Sequence, residues 1–285
     1  MVMSSGKILL GRLIFASGLN AGLLRNSAVV VTFHRIQDTE RPEALTVSIP
    51  TFERYCRFFK RHFNVVPLSD LVARLEQGVR PNGDLAITFD DGYRDNYENA
   101  APVLERLSLP ATFFIVSRWM DTQIVPWWDE ELGIRHPWMT WDQVRSLRRR
   151  GFEIGAHTQT HVDLGSITTD EARREVEGAR YDLERRLGAP VTSFAYPYGR
   201  RANLTDANRE VVRAAGFRCC CAGYGGANPH GTDPFHLQRV PISGFDLWPH
   251  QFGFDVALGR TLLNADESVT ASPRCCATSE ATGSS

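Results

Sequence analysis

Residues 85–92 read Leu85-Ala86-Ile87-Thr88-Phe89-Asp90-Asp91-Gly92. An unbroken apolar and β-branched run, closed by two carboxylates and a glycine, describes a strand buried on both faces that stops at a polar turn. Strands of that kind belong to parallel sheets covered by helices, where chemistry collects at the carboxyl ends of the strands.

Outward from this stretch the pattern repeats. Similar runs occupy Ala28–Phe33, Asn64–Pro67, Ala111–Val116, Phe152–Ala156, Val191–Ala195, Phe217–Ala222 and Leu237–Ile242. Helical periodicity fills the intervals at Thr51–His62, Ser69–Glu76, Asn96–Leu107, Thr140–Arg150, Thr168–Leu187 and Thr205–Ala215. Thr168 with Glu171 reads as a capping box, and Gly188 and Gly216 sit where helices would stop. Alternating units of this length predict an α/β fold, a distorted (β/α) barrel of about seven to eight parallel strands in a single domain. A doubly wound open sheet is the alternative. No linker divides residues 28–260.

The two ends read differently. Residues 7–25, KILLGRLIFASGLNAGLLR, place Lys7 and Arg12 in a patchily apolar stretch, so 1–27 is expected to be an amphipathic segment or presequence. Uninterrupted apolar runs long enough for a membrane span are absent from the sequence. Residues 261–285 are small, polar and without period, and are expected to form an unstructured tail.

Composition sets outer limits. The chain has 285 residues, 42% hydrophobic and 23% charged, which is ordinary for a globular protein and excludes collagen-like or largely disordered chains. With 32 basic against 33 acidic residues there is no electrostatic footprint for nucleic acid. The cysteines are Cys56, the consecutive Cys219-Cys220-Cys221, and Cys275-Cys276, a spacing that suits neither a disulfide framework nor a zinc ribbon. Such thiols favour a reducing, cytoplasmic compartment, with the periplasm or secretion as the other possibility. Oligomeric state leaves no mark in the sequence.

Polar clusters stand where four of the strands end. Strand Leu85–Phe89 meets Asp90-Asp91-Gly92, and Phe152–Ala156 meets His157, with His161 four residues on. Val191–Ala195 meets Tyr196-Pro197-Tyr198-Gly199, and Ala28–Phe33 meets His34-Arg35. Asp90-Asp91-Gly92 by itself would be an ordinary turn. Adjacent residues leaving a strand point apart, however, so one carboxylate can bind a metal while the other faces substrate. His157 and His161, with Asp91 as the carboxylate from another strand, make the mixed nitrogen and oxygen set that suits a catalytic zinc. Trp127, Trp128, Trp138 and Trp141 crowd one segment, and Trp127 or Trp128 could offer a flat face to a sugar ring. Asp129 and Glu130 beside them read as solvated charges.

Thr88-Phe89-Asp90-Asp91-Gly92, His157-Thr158-Gln159-Thr160-His161 and Tyr196-Pro197-Tyr198-Gly199 resemble the first three motifs of the polysaccharide deacetylase family, the NodB-homology or carbohydrate esterase family 4 domain. The resemblance covers roughly residues 28–245 in the right order. It implies a distorted barrel, a divalent metal ion (usually Zn2+), and hydrolysis of N- or O-acetyl groups on a glycan or glycan precursor. Carried over, Asp90 is the general base, Asp91, His157 and His161 are the metal ligands, and the Tyr198 N–H holds the oxyanion.

Two departures from the commonest family pattern stand out. Ala195 occupies the place of an arginine, so the group orienting Asp90 must come from elsewhere, with Arg239 and Arg200 as candidates. The late Leu-x-His motif that supplies the acid is also absent: His236 lies in a Pro/Gly-rich segment and Trp248-Pro249-His250 reads as loop. The chain offers His34 instead, closing the first strand, and so resembles the circularly permuted branch, represented by poly-N-acetylglucosamine deacetylases, where that strand comes first. Another C–N hydrolase on the same scaffold, or a non-catalytic glycan-binding barrel, are the other readings.

Overall fold

The chain was analysed as a computed structural model describing residues 2–40 and 42–258. It opens with α1 (Val2–Ala16) and α2 (Leu19–Leu23), then enters β1 (Ser27–Phe33). A short pair, β2 (Arg35–Ile36) and β3 (Thr46–Val47), precedes α3 (Ile49–His62), β4 (Asn64–Val65) and α4 (Leu68–Glu76). Then come β5 (Asp84–Phe89), α5 (Ala101–Leu107), β6 (Thr112–Ile115), the single turn α6 (Trp127–Glu130) and α7 (Trp141–Arg149). The alternation continues through β7 (Glu153–Ala156), α8 (Thr169–Leu187), β8 (Ser193–Ala195), α9 (Asp206–Ala214) and β9 (Cys219–Cys221). Two short strands, β10 (Asn228–Pro229) and β11 (Val240–Pro241), and α10 (Pro249–Ala257) follow.

The strands line up as β10-β1-β5-β6-β7-β8-β9, with β4 added to β5 and β11 to β1. Every pairing is parallel except that of β1 with β10. The sheet curls until its ends meet. Leu237 bridges Cys221 of the last long-path strand, and Val240 and Pro241 pair with Val31 and Thr32 of the first. Residues Leu237–Pro241 are therefore a narrow seam that closes the barrel, and the open doubly wound alternative does not apply.

Alternation along each strand divides the apolar residues into two cores. Outward-facing Val29, Val31, Phe33, Leu85, Ile87, Phe89 and Phe113 pack under the helices, with Phe89 stacked between Phe33 (5.6 Å) and Phe113 (4.8 Å). Inward-facing side chains are smaller: Ala28, Val30, Ala86, Ala195 and Cys219, with Phe114 the exception. Leu68, Leu71, Val72 and Leu75 of α4 belong to this inner core. Each large side chain so buried contributes about 1.5–3 kcal/mol. Above the inner apolar layer the barrel turns polar, at Thr32, Thr88 and Arg239.

Two elements differ from expectation. The Asn96–Leu107 helix begins as a π-helical turn, Asn96–Ala100, ahead of Pro102, whose missing N–H breaks the regular ladder. The turn aims Asn96 Nδ2 at the His34 carbonyl (2.7 Å) and Asn99 Nδ2 at the Ile36 carbonyl (2.7 Å), and Asp95 Oδ1 accepts from the Ile36 N–H (2.9 Å). The second is Trp248-Pro249-His250, expected as loop. Pro249 instead opens α10, a place where proline's fixed φ and absent N–H cost nothing.

Helix α1 packs on α10. Lys7 Nζ reaches Asp255 Oδ1 at 2.8 Å, Phe15 inserts against Phe58 and Phe63, and a Cβ on Gly11 would stand 1.9 Å from the His250 carbonyl oxygen. The capping box of Thr168 with Glu171 is present on α8, and Gly188 ends that helix in the left-handed region. Cys56, Cys219, Cys220 and Cys221 are free and buried, while Cys275, Cys276 and the expected tail at 261–285 lie outside the described residues. Among the described residues no helix is long and apolar enough to cross a membrane.

Candidate active site and metal centre

The carboxyl ends of β1, β5, β7 and β8 converge on one cavity of about 260 Å³, lined by His34, Asp90, Asp91, His157, His161 and Tyr198. All six residues singled out in the sequence are therefore brought together. Their backbone is unusual. Among the described residues only six non-glycine positions have positive φ, and four of these are Asp91, Thr158, His161 and Tyr198. Left-handed backbone of this kind costs about 1–3 kcal/mol per residue and persists where surrounding structure over-determines it.

Asp91 Oδ1 lies 3.3 Å from His157 Nε2 and 3.2 Å from His161 Nε2, with all three side chains buried. His157 Nδ1 is 2.8 Å from the Ala195 carbonyl, an acceptor, so Nδ1 carries the proton and Nε2 presents its lone pair to the centre. Asp91 Oδ1 has no donor in hydrogen-bonding geometry despite its burial. A cation satisfies these facing atoms together, and they stand within 4.8 Å of one another, as ligands of one ion would. Burial opposes ionisation of Asp91, yet the His157 and His161 rings outweigh it and hold the carboxyl well below its usual range. The set fits a divalent metal.

The turn between the two histidines is held from α8. Glu175 Oε2 accepts from the Gln159 and Thr160 N–H groups (2.9 and 3.0 Å), and Thr158 Oγ1 accepts from the His161 N–H (2.9 Å). Gly178 allows the approach, since a Cβ there would lie 2.4 Å from the Gln159 side chain. Sequence reasoning missed Glu175. A glycine in the middle of a long helix was the available signal, because it marks a close packing partner.

Asp90, the neighbour of Asp91, is held by Arg239 on the barrel seam rather than by Arg200. The pair is bidentate: Nη1 to Oδ1 and Nη2 to Oδ2, both 2.7 Å. Arg239 Nη1 also donates to Thr32 and Thr88 Oγ1 (both 3.2 Å), and Nε to the Ala222 carbonyl (2.6 Å). Burial would raise the Asp90 pKa, but the guanidinium, with His157, carries it below its ordinary value. Ala195 therefore leaves no gap. Its carbonyl orients His157, and an arginine from the far end of the chain does the work for Asp90.

His34 enters the cavity from the end of β1, with its carbonyl fixed by Asn96. Burial lowers its pKa, against an opposing pull from Asp91 and Asp90. His236 is exposed beside Asp233, and His250 on α10 packs against Phe58, so neither reaches the cavity.

Aromatic rings form the mouth. Trp127 Nε1 donates to Tyr198 Oη (3.2 Å), and the Trp128 ring lies 4.9 Å from that of His161. Trp127 is 55% and Tyr198 36% exposed, so the cavity opens to solvent between them. Trp138 and Trp141 are buried in the core instead. Asp129 corrects an expectation. It is fully buried, and Arg35 Nη1 reaches its Oδ1 at 2.7 Å.

The sequence pattern of one family, described as polysaccharide deacetylase, matches residues 77–220, half of the chain. A Bacillus subtilis protein named as a polysaccharide deacetylase is 28% identical over 173 residues, covering 59% of this chain and 55% of that protein. The poly-β-1,6-N-acetyl-D-glucosamine N-deacetylase of Escherichia coli is 30% identical over 213 residues, covering 61% of this chain and 31% of that protein. The chain thus spans about half, or less, of the length of these relatives. Among solved structures, the Streptococcus pyogenes deacetylase PplD with acetate superposes with TM-score 0.67 at 18% identity (79% of this chain, 96% of that one). IcaB from Ammonifex degensii superposes with TM-score 0.65 at 21% identity (79% and 97%). These two likenesses establish the shared fold.

Proposed function

The chain belongs to the polysaccharide deacetylase family, and we propose on that footing that it removes acetyl groups from the N-acetylated sugars of a glycan. The observation that carries this reading is the Asp91, His157 and His161 centre with an ionised Asp90 beside it. The named activity of the Escherichia coli relative points to a poly-N-acetylglucosamine type of substrate. An open mouth lined by Trp127 and Tyr198 suits a sugar chain better than a small cyclic amide.

Asp91, His157 and His161 would hold the divalent ion, for which Zn2+ is the expected choice given one carboxylate and two imidazoles. Such an ion supplies Lewis acidity, polarising the acetyl carbonyl and acidifying water. Asp90, kept ionised and aimed by Arg239, accepts the proton that water loses as its oxygen attacks the acetyl carbon. The Tyr198 N–H stabilises the carbonyl oxygen as it gains charge. When the carbon–nitrogen bond breaks, the departing amine needs one proton, and water has released one. His34 is largely neutral near pH 7, since burial lowers its pKa, so it serves as a relay that takes up that proton and delivers it to nitrogen. Acetic acid and the amine leave, exchanging the acid's proton in water to become acetate and ammonium, and the protein is unchanged.

The direct test is acetate release from β-1,6-linked N-acetylglucosamine oligomers with and without chelator. Chelator-sensitive release supports the reading, and chelator-insensitive release or none refutes it.

A further inference from the structure

The two sides of the cavity mouth are tied together by one buried ion pair. On one side, residues 34–36 are fixed to the π-helical turn by Asp95, Asn96 and Asn99. On the other, α6 carries Trp127 and Trp128 over Tyr198 and His161. Arg35 and Asp129 join these sides at 2.7 Å, and their side chains are 2% and 0% exposed. Arg35 is held in turn by Thr46 Oγ1 (2.8 Å) and Glu43 Oε2 (3.3 Å), and its guanidinium lies 5.4 Å from the Tyr93 ring centre. Asp129 is held far less completely, because its Oδ2 has no partner among the described residues. Trp128 Nε1 adds one bond, to Tyr93 Oη (3.1 Å). The aromatic turn thus hangs on few polar contacts, while the Arg35 side is anchored many times over.

We infer that the Arg35–Asp129 pair is a positioning element that holds Trp127 and Trp128 at the mouth of the cavity that His34 also lines. It sets affinity for the glycan without taking part in bond breaking. This rests on the deacetylase reading. Neither residue touches the metal ligands or Asp90. Losing the pair frees the turn while the chemistry beneath stays intact, a signature in KM rather than kcat.

The test uses Asp129→Asn, which keeps the side chain's shape, and the double variant Arg35→Met/Asp129→Leu, which replaces a buried pair by apolar groups of similar volume and so spares stability. With a pentamer of β-1,6-linked N-acetylglucosamine, KM should rise about tenfold in both, the scale of weakened aromatic contacts, while kcat stays within about twofold. Hydrolysis of 4-nitrophenyl acetate and metal content should match wild type. In Asp129→Asn, hydrogen exchange should rise at residues 124–135 and nowhere else. Equal losses in kcat and KM, unchanged KM, or a rise in exchange across the whole protein would overturn the proposal. Should wild type cleave neither substrate, the deacetylase reading falls, and local exchange at 124–135 still decides the pair's role.

Discussion

Replacing Arg239 with methionine should be among the most damaging substitutions in this protein, and the reason is stranded charge. The Arg239 and Asp90 side chains are 0% and 5% exposed, and two 2.7 Å hydrogen bonds join them. Deleting one member of such a pair leaves the other buried and uncompensated, at a cost of about 3–5 kcal/mol. At about 2–4 °C per kcal/mol for a domain of this size, Tm should fall by about 6–20 °C. Asp90→Asn strands the guanidinium instead and should cost a similar amount. The double variant strands neither, so its loss should fall short of the sum by about 1–3 kcal/mol. Thermal unfolding of the four proteins followed by circular dichroism measures this cycle. Acetate release adds a second readout: Arg239→Met should lose about 10²–10⁴ in turnover, the worth of a well-placed base, while keeping its metal. Stability losses that add to within about 0.5 kcal/mol would refute the coupling, and a fully active Arg239→Met would refute the orienting role.

His157→Ala or His161→Ala should remove the roughly one metal ion per chain expected of a single site, and full occupancy in the double variant, measured by elemental analysis, would sink the assignment. His34→Ala should lower turnover on an N-acetylated sugar by about 10²–10⁴ and affect an activated aryl acetate much less, with His236→Ala as an active control. Burial raises the Asp95 pKa from 3.8 to about 6, so the folded state keeps a proton that the unfolded chain releases between those values. Stability therefore falls as pH rises through that window, by about 3 kcal/mol in all. Asp95→Asn keeps an acceptor for the Ile36 N–H, and should raise Tm at pH 7 by about 6–12 °C and much less at pH 4. An equal gain at both pH values would show that Asp95 does not titrate there.

Legibility in the sequence followed distance along the chain. Asp90, Asp91, His157, His161 and Tyr198 stand at or just beyond strand ends, so local pattern placed them, and the structure gathers them into one cavity. Arg239 was one of two candidates, because a pairing across 149 positions leaves no local trace. Asp129 was misread for the same reason. Its neighbours Trp127, Trp128 and Glu130 give no hint of Arg35, 94 positions away. The π-helical turn has no sequence signature beyond Pro102, and Trp248-Pro249-His250 reads as loop where Pro249 in fact starts a helix.

The narrow seam at Leu237–Pro241 has a consequence for the order in which the protein becomes competent. During synthesis, Asp91, His157 and His161 emerge well before Arg239, and the barrel closes only when Leu237–Pro241 reaches β1 and β9. A nascent chain folded through β9 would already carry Asp91, His157 and His161, yet Asp90 would lack its arginine. With Asp90 as the base, hydrolysis should reach full rate only once that segment has docked. The same logic applies to a cut. A nick between Cys221 and Leu237 would leave Asp91, His157 and His161 on one fragment and Arg239 on the other, joined only by strand pairing and the bonds to Asp90.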